Sequence, residues 1–318
     1  MSLNSTAFSH PPYFLLIGIP RLEEQQFWIA FPFCIMYGIA LLGNLTLLLI
    51  IKAEPSLPEP MFFFLAMLAF ADLVLSTSTL PKMLGIFWLG WGEIGFPSCL
   101  TQMFFIHAFS VVESGVLAAM ALDRLVAICC PLRHSSLLPV PAVLALLGLV
   151  LLRALLLVSP TCFLLQQRRF CRRRLIAHSY CEHMALVRLA CGDTRADAAY
   201  GLLAAVLVMG TDLALISLSY AGILRVVARL PSGQARLKAL STCTSHVCVM
   251  LAFYTPALFT VLAHRFGQGV PPPVRVLLAN LYLLVPPTLN PLVYGVRTKK
   301  LQDRVVVLFQ HTFPLSGA

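Results

Sequence analysis

Seven runs of largely apolar residues, each bounded by charge, leave this chain few structures to choose from. A helix needs about 20 such residues to cross the hydrocarbon core of a bilayer. Read from charge to charge, the runs cover Phe27–Ile51, Met61–Phe87, Cys99–Ala121, Val140–Leu165, Ala198–Val227, Ala239–Ala263 and Val274–Val296. Only 11% of the residues are charged, against about 25% in a soluble domain, so the chain belongs in a membrane. The connections are too short to fold alone. The expected fold is therefore all-α: one seven-helix transmembrane bundle over 27–296, an amino-terminal segment 1–26, and a tail 297–318 with a short amphipathic helix.

Orientation follows from basic residues. Met1 to Glu24 has neither a basic start nor an apolar run ending in small residues, so no cleavable signal peptide is expected. Asn4-Ser5-Thr6 is a glycosylation sequon, which puts the amino terminus outside if it is used. With the amino terminus outside, 11 Lys or Arg fall on each side. The tie is made by one loop, Gln166 to Ala196, which carries Arg168, Arg169, Arg172, Arg173, Arg174, Arg188 and Arg195. Without that loop the inner side leads 11 to 4, the direction the positive-inside rule requires. The net charge of +10 accordingly implies anionic lipid or a partner protein at the inner rim and no nucleic acid.

Ten cysteines divide by side. Cys99, Cys171, Cys181 and Cys191 fall on the outer side, where oxidation favours disulfides, and four cysteines allow three pairings. His178, Cys181, Glu182 and His183 also form a soft-metal set, provided Cys181 keeps its thiolate.

Ionisable groups inside a bilayer are costly and mark function. Asp72, Glu113 and Asn290, which precedes Pro291, could bracket a sodium ion; alternatively both acids are protonated and hydrogen-bonded. Asp212 and mid-span Arg153 are further costs. Tyr254, Leu258, Val261 and Arg265 share one helix stripe, and Met103, His107, Ser110 and Val111 form a second that could face it. With Ala204 and Val208 of span five, these residues form the expected ligand set. A cavity capped by Arg265 and His107 suits a carboxylate with a hydrocarbon tail. Otherwise Arg265 snorkels to the headgroups. At the inner end, Asp123 and Arg124 form an adjacent acid and base where span three leaves the lipid, the composition of a restrained switch.

The strings PMFFFLAMLAFADL (Pro60 to Leu73), PKML (Pro81 to Leu84), MALDRLVAICCPLRH (Met120 to His134), Ser219-Tyr220, KALSTCTSH (Lys238 to His246), FYTP (Phe253 to Pro256) and NPLVYG (Asn290 to Gly295) occur in this order. On them the chain resembles the odorant receptors, a branch of the rhodopsin-like G-protein-coupled receptors. GIPRLEEQQFW, SYCEHMALVRLACGD and HRFG resemble its class I, fish-like subset.

The resemblance implies a plasma-membrane receptor of sensory cilia, activated by an odorant and raising cyclic AMP through the stimulatory olfactory G protein. It implies a Cys99–Cys181 disulfide, leaving Cys171 and Cys191 to pair. It implies Arg265 and His107 as anchors for an acidic odorant. It makes Asp123, Arg124, Tyr220, Lys238, His246, Asn290, Pro291 and Tyr294 the coupling and activation set. Leu122, Leu125, Cys130, Arg153 and Val261 depart from the family pattern; Val261 offers no hydroxyl to a carboxylate.

Other classes fare worse. No internal repeat supports a transporter or channel. Ser114-Gly115 lacks a nucleophile elbow. Span seven has no lysine for a retinal Schiff base. Within the receptor class, a metabolite sensor outside the nose is the alternative.

Overall fold

The computed structural model describes residues 10–53, 59–171, 174–266, 269–297 and 302, without the side chains of 264–266 and 296–297. Asn4, the tail with its expected amphipathic helix, Lys299, Lys300, Arg304, Arg172, Arg173 and the side chain of Arg265 lie outside the described residues.

Among these residues seven helices are long and apolar enough to cross a membrane: α1 (Gln26–Ala53), α2 (Pro60–Leu89), α3 (Phe96–Cys129), α5 (Val140–Gln166), α7 (Arg195–Ala228), α8 (Gly233–Phe266) and α9 (Pro272–Arg297). Two short helices, α4 (His134–Leu137) and α6 (His183–Val187), lie in connections. Helix formation satisfies every backbone group within the segment, which hydrocarbon demands. Proline sets several starts: Pro60 opens α2, where its missing N–H costs nothing. Gly90, at φ 67°, closes α2 in the left-handed region and returns its N–H to Ile86.

The helices overrun the apolar runs. Helix α3 continues eight residues past Ala121, so Asp123 and Arg124 sit on a helix and not beyond it. Helix α8 begins at Gly233, ahead of Lys238. Charge ends a hydrophobic run, but Arg and Lys are good helix formers and do not end a helix.

Helix α3 is the axis of the bundle. Residues 112–121 are buried without a break, which requires neighbours on all sides; α2, α5, α7 and α8 all pack against it. One apolar core surrounds this stretch, with Phe64, Leu68, Val116 and Val249. A second core fills the amino-terminal end, with Phe14, Met83, Met103 and Leu186.

That end is covered by a small three-stranded sheet in the order β2-β1-β3. Strand β1 (Tyr13–Leu16) pairs antiparallel with β2 (Glu93–Gly95) and parallel with β3 (Leu175–Ile176). The burial of Phe14 and Leu16 against exposed Tyr13 and Leu15 is the period-2 pattern of a strand with one covered face. Disulfides Cys99–Cys181 and Cys171–Cys191 fasten the same cover.

Candidate functional site

Beneath this cover lies a cavity of about 210 Å³ between α3, α5, α7, α8 and the loop carrying α6. His107, Ser110 and Val111 line it from α3, Ala204 and Val208 from α7, and Val261 from α8, as the expected set has them. Met103, Tyr254 and Leu258 do not line it. Met103 is fully buried in the amino-terminal core. Leu258 is 39% exposed, pointing away from the bundle. The lining stripe on α8 is Phe253, Ala257, Thr260 and Val261. Both stripes satisfy helical periodicity; they differ by one residue, about 100° of rotation, and packing chooses between them. Arg265 follows Val261 by four residues, one turn along the same helix.

The remaining walls come from residues that apolar periodicity could not single out. Thr161 of α5 and Tyr282 of α9 reach the cavity, and the loop contributes Tyr180, Glu182 and His183. Glu182 is committed: its Oε2 accepts the Ala185 N–H at 2.7 Å and caps α6. Burial, with the Glu182 carboxylate adding to it, pushes the Tyr180 hydroxyl well above the ordinary phenol range, so it stays neutral. His107 presents a different situation, since its Nε2 is buried with no hydrogen-bond partner among the described residues. Its ring stands edge-on to that of His183, centroids 6.4 Å apart.

Among the described residues no group of three or more His, Cys, Asp or Glu gathers in a way that could hold a metal. Of the soft-metal set, Cys181 is in a disulfide, His178 accepts the Ser179 N–H through Nδ1, and His183 turns to the cavity.

The floor of the cavity is polar and continuous with the interior. Arg153, unexplained from sequence, forms a bidentate ion pair with Asp212: Nη1 to Oδ1 at 2.6 Å and Nη2 to Oδ2 at 2.8 Å. Ser114 Oγ, which also lines the cavity, donates to Asp212 Oδ2 at 2.6 Å and lies 2.8 Å from the Tyr254 hydroxyl. Because the one Ser114 proton goes to the carboxylate, Tyr254 is the donor of the second bond. Four helices thus meet in one chain of hydrogen bonds. Gly115 makes it possible, for a Cβ there would lie 2.8 Å from Arg153 Nη2 and 2.9 Å from Val150 Cγ1.

One layer further from the cover, Asn290 Nδ2 donates to both Asp72 oxygens, at 3.1 and 2.9 Å, and to Glu113 Oε1 at 3.4 Å. Both carboxyls are essentially inaccessible, and Asn290 Oδ1 has no partner among the described residues. Pro291, next in α9, is buried.

At the far end, Arg124 Nη2 holds Asp123 Oδ2 at 2.7 Å, and His134 Nε2 lies 2.8 Å from Asp123 Oδ1. His134 falls within the recognised string, but its role as a third member is a tertiary result. The Tyr220 hydroxyl meets His246 Nδ1 at 3.0 Å, and His246 Nε2 meets the Leu117 carbonyl at 3.1 Å, tying α7 and α8 to α3. Tyr294 is buried nearby with a hydroxyl unpartnered among the described residues, whereas Lys238 is exposed.

Comparison with known proteins agrees over almost the whole chain. The family model for olfactory receptors matches residues 33–312. Human olfactory receptor 52R1 is 58% identical over 298 residues, covering 94% of this chain and 95% of its own. Human olfactory receptor 52P1 is 52% identical over 301 residues, covering 94% of each. Human olfactory receptor 52J3 is 49% identical over 309 residues, covering 97% of this chain and 99% of its own.

Proposed function

The chain belongs to the olfactory receptor family, multi-pass G-protein-coupled receptors for odorants and not enzymes, and within that family we propose that it answers to a small aliphatic carboxylic acid. The observation that carries this reading is the buried Nε2 of His107, unpartnered among the described residues, on the wall of a mainly apolar cavity. A buried polar atom left without a partner costs about 1–3 kcal/mol. A ligand carboxylate accepting from that nitrogen would remove the cost. Arg265, one turn beyond Val261, is the proposed second anchor.

Head group and tail would then be selected unequally. A charge-assisted hydrogen bond contributes about 1.5–3 kcal/mol net, each buried methylene about 0.8 kcal/mol. The receptor should therefore reject alcohols sharply and neighbouring chain lengths only mildly.

Signalling is proposed to run through the stimulatory olfactory G protein to cyclic AMP, with the amino terminus outside the plasma membrane. Support comes from the bonds that hold the opposite end closed, Asp123 with Arg124 and Tyr220 with His246. An agonist must bind the open arrangement better than this one, or it shifts nothing.

A sodium ion is proposed as a modulator between Asp72, Glu113 and Asn290. Two buried carboxyls and an orphaned amide oxygen suit a hard cation. When bound it would supply the positive charge that the described neighbours do not.

The test is a cyclic AMP assay over acids, alcohols, aldehydes and amines of matched length, with surface level measured in parallel. Acids should lead, and Arg265→Ala and His107→Ala should each weaken the acid response about ten- to a hundredfold. If alcohols lead, or both variants respond normally at a normal surface level, the acid reading is wrong.

A further inference from the structure

A second crevice, of about 220 Å³, opens on the outside of the bundle between α3, α5 and α7. Its wall is made of small residues on α3, Gly115, Ala118 and Ala119. Its rim is Leu122, Leu149 and Leu215, which are 40%, 62% and 54% exposed. In a helix bundle embedded in lipid, such side chains face hydrocarbon, so the mouth of this crevice opens to the bilayer interior and not to water.

The roof is polar. Arg153 and Asp212 both line the crevice, and Arg153 stands at the midpoint of Val140–Gln166, about 20 Å from either end at about 1.5 Å per residue. This is the depth at which an ionised group is most costly. Its Nη1 donates to Asp212 Oδ1, and its Nη2 donates to Asp212 Oδ2 and, at 3.4 Å, to the Val111 carbonyl; Nε is itself buried, without a partner among the described residues, and the second N–H of Nη1 is not used in these bonds. Asp212 is 1% exposed in the ion pair, whereas the Arg153 side chain is 28% exposed. The Arg153 side chain, and not the Asp212 carboxylate, is therefore the part of the pair that reaches the lipid side.

We propose that this crevice is a lipid-facing binding site for a membrane-dissolved, neutral alkyl carbonyl compound, its carbonyl oxygen accepting from the Arg153 edge and its chain lying along Ala118 and Leu149. Charge decides the class. The Arg153–Asp212 pair is already neutral as a whole, so a third full charge at mid-membrane would go uncompensated. An acceptor without charge can take the remaining guanidinium N–H at no such cost. A protonated amine would meet the guanidinium with the wrong polarity, and an alcohol, whose oxygen also accepts, would bury its own hydroxyl proton at a cost that a carbonyl does not carry. Entry from the bilayer suits a ligand that partitions into hydrocarbon, and the site is separate from the covered cavity that carries His107. Because the same Asp212 oxygen also accepts from Ser114, an occupant here bears on the floor of that cavity without entering it.

The experiment uses the full-length receptor in lipid nanodiscs. A medium-chain methyl ketone bearing a diazirine is photolysed beside the matching diazirine alkane, and adducts are mapped by peptide mass spectrometry. The ketone should mark Leu122, Leu149 or Leu215, with the alkane about two- to tenfold weaker there, the worth of one net hydrogen bond. Ala118→Phe fills the wall, and Leu149→Trp, at a lipid-exposed position that tolerates bulk, closes the rim; either should suppress those adducts. Equal marking by ketone and alkane, or marking that survives both variants, overturns the proposal. Neither readout depends on which odorant activates the receptor.

Discussion

Two polar clusters inside the same bundle solve the problem of buried charge in opposite ways. Arg153 and Asp212, with Ser114 and Tyr254, form a closed set in which the charges cancel and the Asp212 oxygens are both engaged. Asp72, Glu113 and Asn290 form an open one, two acids bridged by a single amide with an oxygen left over. The closed cluster acts as a structural joint between four helices. The open cluster is incomplete until a proton or a cation arrives, and that makes it suited to adjustment.

The largest expected effect is on the closed set. Asp212→Ala should strand the Arg153 guanidinium at mid-membrane, a loss of about 3–5 kcal/mol, seen as a collapse of surface level and of the melting temperature in detergent. Replacing both partners, Arg153→Met with Asp212→Leu, should recover most of that stability. If the double variant melts no higher than the single one, the ion pair is not what fails. A smaller loss, about 1–3 kcal/mol, is expected from Gly115→Ala, whose new methyl must displace Arg153 or Val150. Thermal unfolding checks it, and an unchanged midpoint would mean that α5 moves aside freely.

The open set should behave in reverse. Glu113→Gln removes one of two facing acids and should leave stability unchanged or raise it slightly, while abolishing the difference between sodium and choline chloride in a melting experiment. A wild-type protein indifferent to sodium, or a Glu113→Gln variant that keeps the full difference, would remove the ion from the account and leave protonation as the completion of the site.

Legibility differed along the same line. The spans, the Asp123–Arg124 pair and the gathering of Asp72, Glu113 and Asn290 could all be read from apolar runs, recognised strings and the cost of charge in lipid. The disulfides follow the pairing that the family resemblance implies. The partner of Arg153 could not be read, because Asp212 lies 59 residues away and no local pattern links them. Nor could the lining face of α8. Tyr254 and Leu258 fit the helical period as well as Phe253 and Ala257 do, and only the latter pair faces the cavity.

What this sequence determined alone is the number of its membrane helices and their extent to within a few turns. Hydrocarbon offers no partner to a peptide group, so any apolar run of this length must close its hydrogen bonds internally. What the tertiary structure decided is rotation and pairing. A helix surrounded by lipid on one side and protein on another has no hydrophobic contrast to orient it, since both surroundings are apolar. Close packing, such as Gly115 against Arg153, and a few buried polar bonds then choose which face turns inward.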